Sequence, residues 1–168
     1  GANIVDSFAI TNDGRLDFSG ASSVSGGSLS TTITTNSGGT TYIGDTASAG
    51  NARFYMYGTG SLDISGLTNS GTTVSLFGGT GDIFLGSKNL TFASGSVVAT
   101  FSGVIQDGGD GGGTGGSLTK EGGASVLTLS GANTYTGGTA INSGTVVIGN
   151  DSALGTGDVT MASGANMF

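Results

Sequence analysis

The sequence predicts an all-β protein, a parallel β-solenoid with three strands per coil. Three observations point there. Apolar residues come in short runs of about three to six residues with period two, rich in β-branched side chains, which is the pattern of strands. Every run ends in a cluster of Gly, Asn, Asp or Ser, the residues that turn a chain by accepting positive φ or bonding their own backbone. No run carries the i, i+3, i+4 spacing of a helix face. Strands this short cannot bury a core as isolated hairpins. Wound into a coil, each bonds to the coils above and below, and alternate side chains fill a continuous interior.

Composition sets the bounds. The 168 residues suit one domain, read here as a single solenoid segment over 1–168. Gly accounts for 36 of them and Pro for none; without a Gly-X-Y period, collagen is excluded. Regularly placed Val, Ile, Leu and Phe separate the chain from a disordered linker. There is no Cys, so no disulfide framework or thiol nucleophile. There is no His, which removes the commonest general base, the Ser-His-Asp constellation and the usual zinc ligand. The net charge of −7 argues against nucleic-acid or anionic-membrane partners. No apolar window is long enough to span a membrane as a helix. No signal peptide opens the chain, and ANMF stops inside a strand-like pattern; both ends look joined to something larger.

Residues 1–44 carry the runs FAI, RLDF, SLSTTI and TYIG, separated by NDG (12–14), SGAS (19–22), SGG (25–27) and NSGG (36–39). The run at 28–35 is mostly Ser and Thr and reads as a polar outer side or a hydroxyl ladder. Residues 45–100 continue with FYMY, SLDIS, TVSLF, DIFLG, NLTFA and VVATF. Residues 106–116 (QDGGDGGGTGG) break the rhythm. Glycine there loses much entropy on ordering, so a flexible loop extruded between two coils is expected. Five further short runs follow over 116–149.

Repetition supports the coil. NSG recurs at Asn36, Asn69 and Asn142, and an apolar-Ser-Gly corner at Phe18, Ile64, Phe101 and Leu129. Residues 41–56 align without gaps on 146–161, an offset of 105 residues with roughly thirteen strand-like runs between. Coils of about 21–25 residues follow, about seven to eight in all, making a rod of roughly 35–40 Å. The expected inward residues are Ile43, Phe54, Leu62, Ile64, Leu76, Phe84, Leu90, Phe92, Leu127, Leu129, Val146 and Ile148.

The segment 116–149 resembles the passenger-associated repeat of bacterial autotransporters. The matching motifs are LTK (118–120), a glycine pair (122–123), LTLSG (127–131), NTYTGGT (133–139) and VVIG (146–149), flanked by FSGVIQDGG (101–109) and ALGTGDVTM (153–161). Ala124-Ser125-Val126 departs from the family's usual short Gly-Thr corner and reads as a longer turn. The resemblance implies a right-handed parallel β-helix on a bacterial surface. It also implies export through a C-terminal outer-membrane barrel, a domain expected beyond Phe168.

Ten of the eleven acids are Asp, at 6, 13, 17, 45, 63, 82, 107, 110, 151 and 158. Glycan-cleaving β-helices use clustered Asp as acid and base or to hold calcium. Asp13, Asp45, Asp107, Asp110 and Asp151 instead sit in turn sequences, where Asp is a turn former. Asp17 and Asp63 lie in strands and are expected on one outer face; Arg53 near Asp63 is the pair a lyase reading needs. The stretches 149–151, 157–158 and 78–82 suggest calcium loops, but their spacing misses the nine-residue period. The glycine stretch lacks the Lys-Ser/Thr of a phosphate cradle. The outward members of Phe54-Tyr55-Met56-Tyr57 suit sugar stacking, and Asn133-Thr134-Tyr135-Thr136 reads as a corner pinning coil register, with Tyr135 packed. Asn89 and Asn150 begin N-glycosylation patterns.

No catalytic, cofactor-binding or metal-binding residue is predicted. The expected role is a non-catalytic extracellular or outer-surface module, structural or adhesive. The alternatives are a polysaccharide-active enzyme and a calcium-stabilised repeat. The open strand edges of a solenoid invite stacking with copies of itself. Host surfaces or glycans are further candidate partners, with no nucleic acid and no membrane insertion by this segment.

Overall fold

The computed structural model describes residues 9–24 and 31–168. Within them the chain forms strands and no helix. In chain order these are β1 (Ala9–Asn12), β2 (Arg15–Phe18), β3 (Thr32–Thr35), β4 (Thr40–Ile43), β5 (Arg53–Met56), β6 (Ser61–Asp63), β7 (Gly71–Val74), β8 (Leu76–Gly79) and β9 (Asp82–Phe84). They continue as β10 (Asn89–Ala93), β11 (Val98–Phe101), β12 (Ile105–Gln106), β13 (Ser117–Glu121), β14 (Val126–Leu129), β15 (Thr139–Ile141), β16 (Thr145–Ile148), β17 (Val159–Met161) and β18 (Asn166–Met167).

All pair in parallel, in three sheets that are the three faces of a solenoid of about seven turns. The first face stacks β1-β3-β5-β8-β11-β14-β16-β18, the second β2-β4-β6-β9-β12, and the third β7-β10-β13-β15-β17. The shortest step between neighbouring coils is Gly71 to Asn89, and the longest are Asn89 to Ser117 and Val98 to Val126. Both long steps enclose the glycine-rich stretch.

Period-two alternation places the core. Ile33, Phe54 and Phe77 follow one another in register along the first face. Phe77 packs edge-on against Phe92 and Phe101, with centroids 5.6 and 5.4 Å away, a favoured aromatic geometry. All the expected inward residues are buried except two. Phe84 is half-buried and points outward while Ile83 and Leu85 fill the core; the run Asp-Ile-Phe-Leu is apolar at both phases, so alternation alone mis-set it. Ile148 is half-buried at the rim of the core. Leu76 is buried, but it pairs in register with exposed Arg53, and the core column passes through Phe77.

The corners hold two corrections. The alignment of 41–56 with 146–161 is not structural, since Ile43 lies on the second face and Ile148 on the first. NSG occupies all three corners in turn: Asn36 leaves the first face, Asn69 precedes the third, and Asn142 leaves the third. The apolar-Ser-Gly corner likewise ends second-face segments at Phe18 and Ile64 and first-face strands at Phe101 and Leu129. A turn tripeptide reports local backbone geometry, which is common to all corners, so it cannot report phase. One corner does demand glycine by proximity. A Cβ on Gly103 would collide with the carbonyl of Gly81, and one on Gly131 with that of Gly103.

Candidate functional site

The second face carries the main polar cluster. Register places Asp17, Tyr42 and Asp63 in one outward column, so the expected alignment of Asp17 with Asp63 holds. Arg53 is not near Asp63: it opens β5 on the first face, while Asp63 ends β6 on the second. The cation on this face is Arg15, which pairs with Asp17 and Asp110 and lies 4.8 Å from the Tyr42 ring centre. Asp110 first, then Asp17, hold the guanidinium above its ordinary value. Burial, then the charge of Asp63, pushes the Tyr42 phenol up. Gly66 makes room for that ring, since a Cβ there would strike the Tyr42 hydroxyl.

Asp110 belongs to the glycine-rich stretch. That stretch does not project away as expected. It folds back over the second face, where Asp110 N–H donates to Asp63 Oδ2 (2.7 Å) and Gly111 N–H to Ser65 Oγ (2.8 Å). Asp63 is 2% exposed, and its Oδ1 also accepts from the Ser65 N–H and hydroxyl. Gly109 has φ +91°, and a Cβ there would sit 2.6 Å from both Asp63 Oδ1 and Ser65 Oγ. Asp107 ties down the other end, accepting from Gly115 N–H, Gly116 N–H and the Thr136 hydroxyl. Glycine-rich backbone offers unshielded N–H donors, and buried carboxylates supply acceptors that replace water. Asp63 is 47 residues away along the chain, so no local pattern announces it. The carboxylate oxygens that a lyase would aim at substrate are here committed to the protein's own backbone.

The remaining candidates are dispersed. Asp13 accepts from the Asn36 amide. Asp45 takes positive φ (55°), and its carboxylate accepts from Gly20 N–H. Asp151 lies exposed in a turn, and Asp6 falls outside the described residues. No group of three His, Cys, Asp or Glu side chains that could hold a metal ion occurs among the described residues. Phe54 and Met56 are in the core, while Tyr55 and Tyr57 face outward with rings parallel and 6.5 Å apart. Asn89 lies within β10, and its amide donates to Ser117 and Thr119. Of the hydroxyl run, residues 28–30 lie outside the described residues; Thr35 is buried and bonds to Thr41 (2.7 Å).

Above β12 the second face has no strands, and side chains take their place. Asn133 is 1% exposed; its Oδ1 accepts from Ile105 N–H (2.8 Å) and its Nδ2 donates to Ala153 O (2.6 Å). One amide thus makes the two bonds a strand residue would make to the coils on either side. Tyr135 is fully buried, its hydroxyl 2.5 Å from Thr139 Oγ1, and burial pushes the phenol up to about 12. Tyr135 is packed as expected, but 133–136 is not a corner: Asn133 and Thr134 stack over β12 on the second face.

Lys120 is a core residue absent from the expected inward set. It is fully buried, its three N–H donors shared among Glu121 O, Gly122 O, Ser125 Oγ and Ser143 O, with Nζ 5.3 Å from the Phe92 ring centre. Burial pulls its ammonium below the ordinary value. The alternation Leu118-in, Thr119-out, Lys120-in signals this; only the charge hides it. The corner expected over 124–126 ends at Ser125, whose hydroxyl meets Nζ, and Val126 already opens β14.

A three-faced parallel solenoid whose upper coils are closed by an Asn, a Tyr and a buried Lys defines the class. Residues 118–148 match the passenger-associated-transport-repeat family. Over 77 residues, 45% of the chain, it is 39% identical to an adhesin, the BmaC autotransporter of Brucella suis biovar 1 (strain 1330). The matched stretch is 2% of that relative's length. The chain therefore carries an autotransporter passenger repeat. No solved structure matches it.

Proposed function

We propose that this chain is a non-catalytic length of a secreted, outer-surface passenger, a stiff stalk whose faces serve adhesion. The observation that supports it most is that the repeat is not appended to the solenoid. Lys120, Asn133 and Tyr135 close its upper coils, and β14 and β16 continue the same first face as β1. The similarity to a protein named as an adhesin supports the adhesive half.

Beads coated with the 168-residue protein test this against bare beads on cultured epithelial cells; retention above the bare control is expected, and equal retention removes adhesion. Reducing-sugar release across a polysaccharide panel tests the absence of catalysis. Turnover abolished by Asp63→Asn would sink that half. End-to-end pairing of copies would use Val159, Met161, Met167 and Phe168, which the last coil leaves exposed. Sedimentation at neutral pH reads it, and a monomer at every concentration removes it.

A further inference from the structure

The third face has a groove of about 240 Å³ that the adhesive reading does not yet use. Its origin is a missing row of side chains. On β13 the outward residues are Ser117 and Thr119, and at the level of β17 they are Asp158 and Thr160. Between them lie Gly138, just before β15, and Ala140 within it, so the rung that should carry side chains carries almost none. Strands two rungs apart are roughly 10 Å from each other, which sets the width of the trough. Gly138 cannot be otherwise: its φ is +88°, and a Cβ would meet the Asp158 carbonyl.

We propose that this groove binds a neutral saccharide unit, a reading that rests on the adhesive role above and gives it a ligand class. The walls offer hydroxyls that both donate and accept (Ser117, Thr119, Thr160) and one carboxylate acceptor, Asp158, which is exposed and has no side-chain partner among the described residues. Asn89 donates to Ser117 and Thr119 and accepts from Thr91, which occupies one lone pair on each of the two hydroxyls and leaves its proton and second lone pair for a ligand. Closely spaced donors and acceptors match the vicinal hydroxyls of a sugar ring. A peptide finds little on the groove floor, because the backbone groups of β13 and β15 are used in the sheet's own ladders and only the outer edge of β17 is unpaired. An anionic sugar is opposed by Asp158 and by the net charge of −7. The volume is below the ~300–1,000 Å³ that encloses a drug-sized ligand, so one ring seats while the rest of a glycan stays in water.

Ligand-observed NMR titration tests this on the 168-residue protein, with methyl glycosides of glucose, galactose and mannose and with glucuronate as the anionic comparison. At least one neutral glycoside should bind and glucuronate should not. Ala140→Tyr fills the trough from an outward position and should weaken binding at least tenfold, with an unchanged circular-dichroism melt. Ser117→Ala with Thr160→Val should weaken it several-fold, and Asp158→Asn should let glucuronate in. Failure of every neutral glycoside to bind, or wild-type binding by Ala140→Tyr, overturns the inference. Bead retention is scored separately. If Ala140→Tyr beads adhere as well as wild type, the groove is not the adhesive site and the inference falls while adhesion stands. If neither adheres, adhesion falls and the titration alone judges the groove.

Discussion

The lower and upper coils close the same triangle by different means. Below, β2, β4, β6, β9 and β12 give the second face a backbone ladder, and a glycine-rich strap lies over it, anchored on Asp63. Above, where the passenger repeat runs, that ladder stops and Asn133 spans Ile105 and Ala153 with its own amide. A backbone ladder does not depend on side-chain identity, so away from Asp63 and Gly66 the lower coils constrain their outward residues little. A side-chain substitute is not: it needs one donor and one acceptor of the right reach. That is why the upper coils carry a recognisable motif and the lower coils only a texture.

Asn133→Ala should separate the two halves most sharply. It strips a buried N–H and a buried carbonyl of partners, each costing about 1–3 kcal/mol. Amide exchange should accelerate over 101–168 while β1 to β9 keep their protection; uniform acceleration would mean the coils unfold as one unit.

Lys120→Met comes next. It removes the charged donor from Glu121 O, Ser125 Oγ and Ser143 O, while Gly122 O keeps the Ser125 hydroxyl, and should cost roughly 2–4 kcal/mol, set by the lost charge-assisted bonds. The linkage has a definite sign. The folded protein holds Lys120 below its ordinary 10.5, so the unfolded chain binds more protons in that window. Wild type should therefore gain on Lys120→Met as pH rises toward 10.5 and gain no more above it. Tyr135 acts oppositely: its folded value near 12 makes stability fall between about 10 and 12. Denaturant melts across pH 8–12 read both.

The strap is worth less to the whole. Gly109→Ala places a side chain at positive φ against Asp63 and should cost about 1–3 kcal/mol locally. Proteolysis within 107–116 should quicken while the global melt hardly moves; a large drop in melting would make the strap part of the core. Smallest is Arg15→Ala, which removes two exposed ion pairs and should leave the melt unchanged within error.

The split also explains what was legible. Ile43, Phe54, Leu127 and Val146 follow strict alternation, so their burial could be read directly. Phe84 could not, because apolar residues flank it at both phases. Tyr135 was placed as packed by the resemblance. Lys120 obeyed the same period as Leu118, but its charge argued against the core. The strap was unreadable, because its glycines carry no side-chain pattern and its anchor lies four dozen residues away. Asp63 was visible only as an acid in a strand.

Strand length, turn chemistry and the period-two pattern belong to neighbours along the chain, and those alone determined that this protein is a stack of short parallel strands. Which corner a given NSG occupies, which carboxylate holds the strap, and where the third face loses a row of side chains depend on residues separated by one or more coils. Only the stacking of those coils brings them within hydrogen-bond reach, so the tertiary structure decided them.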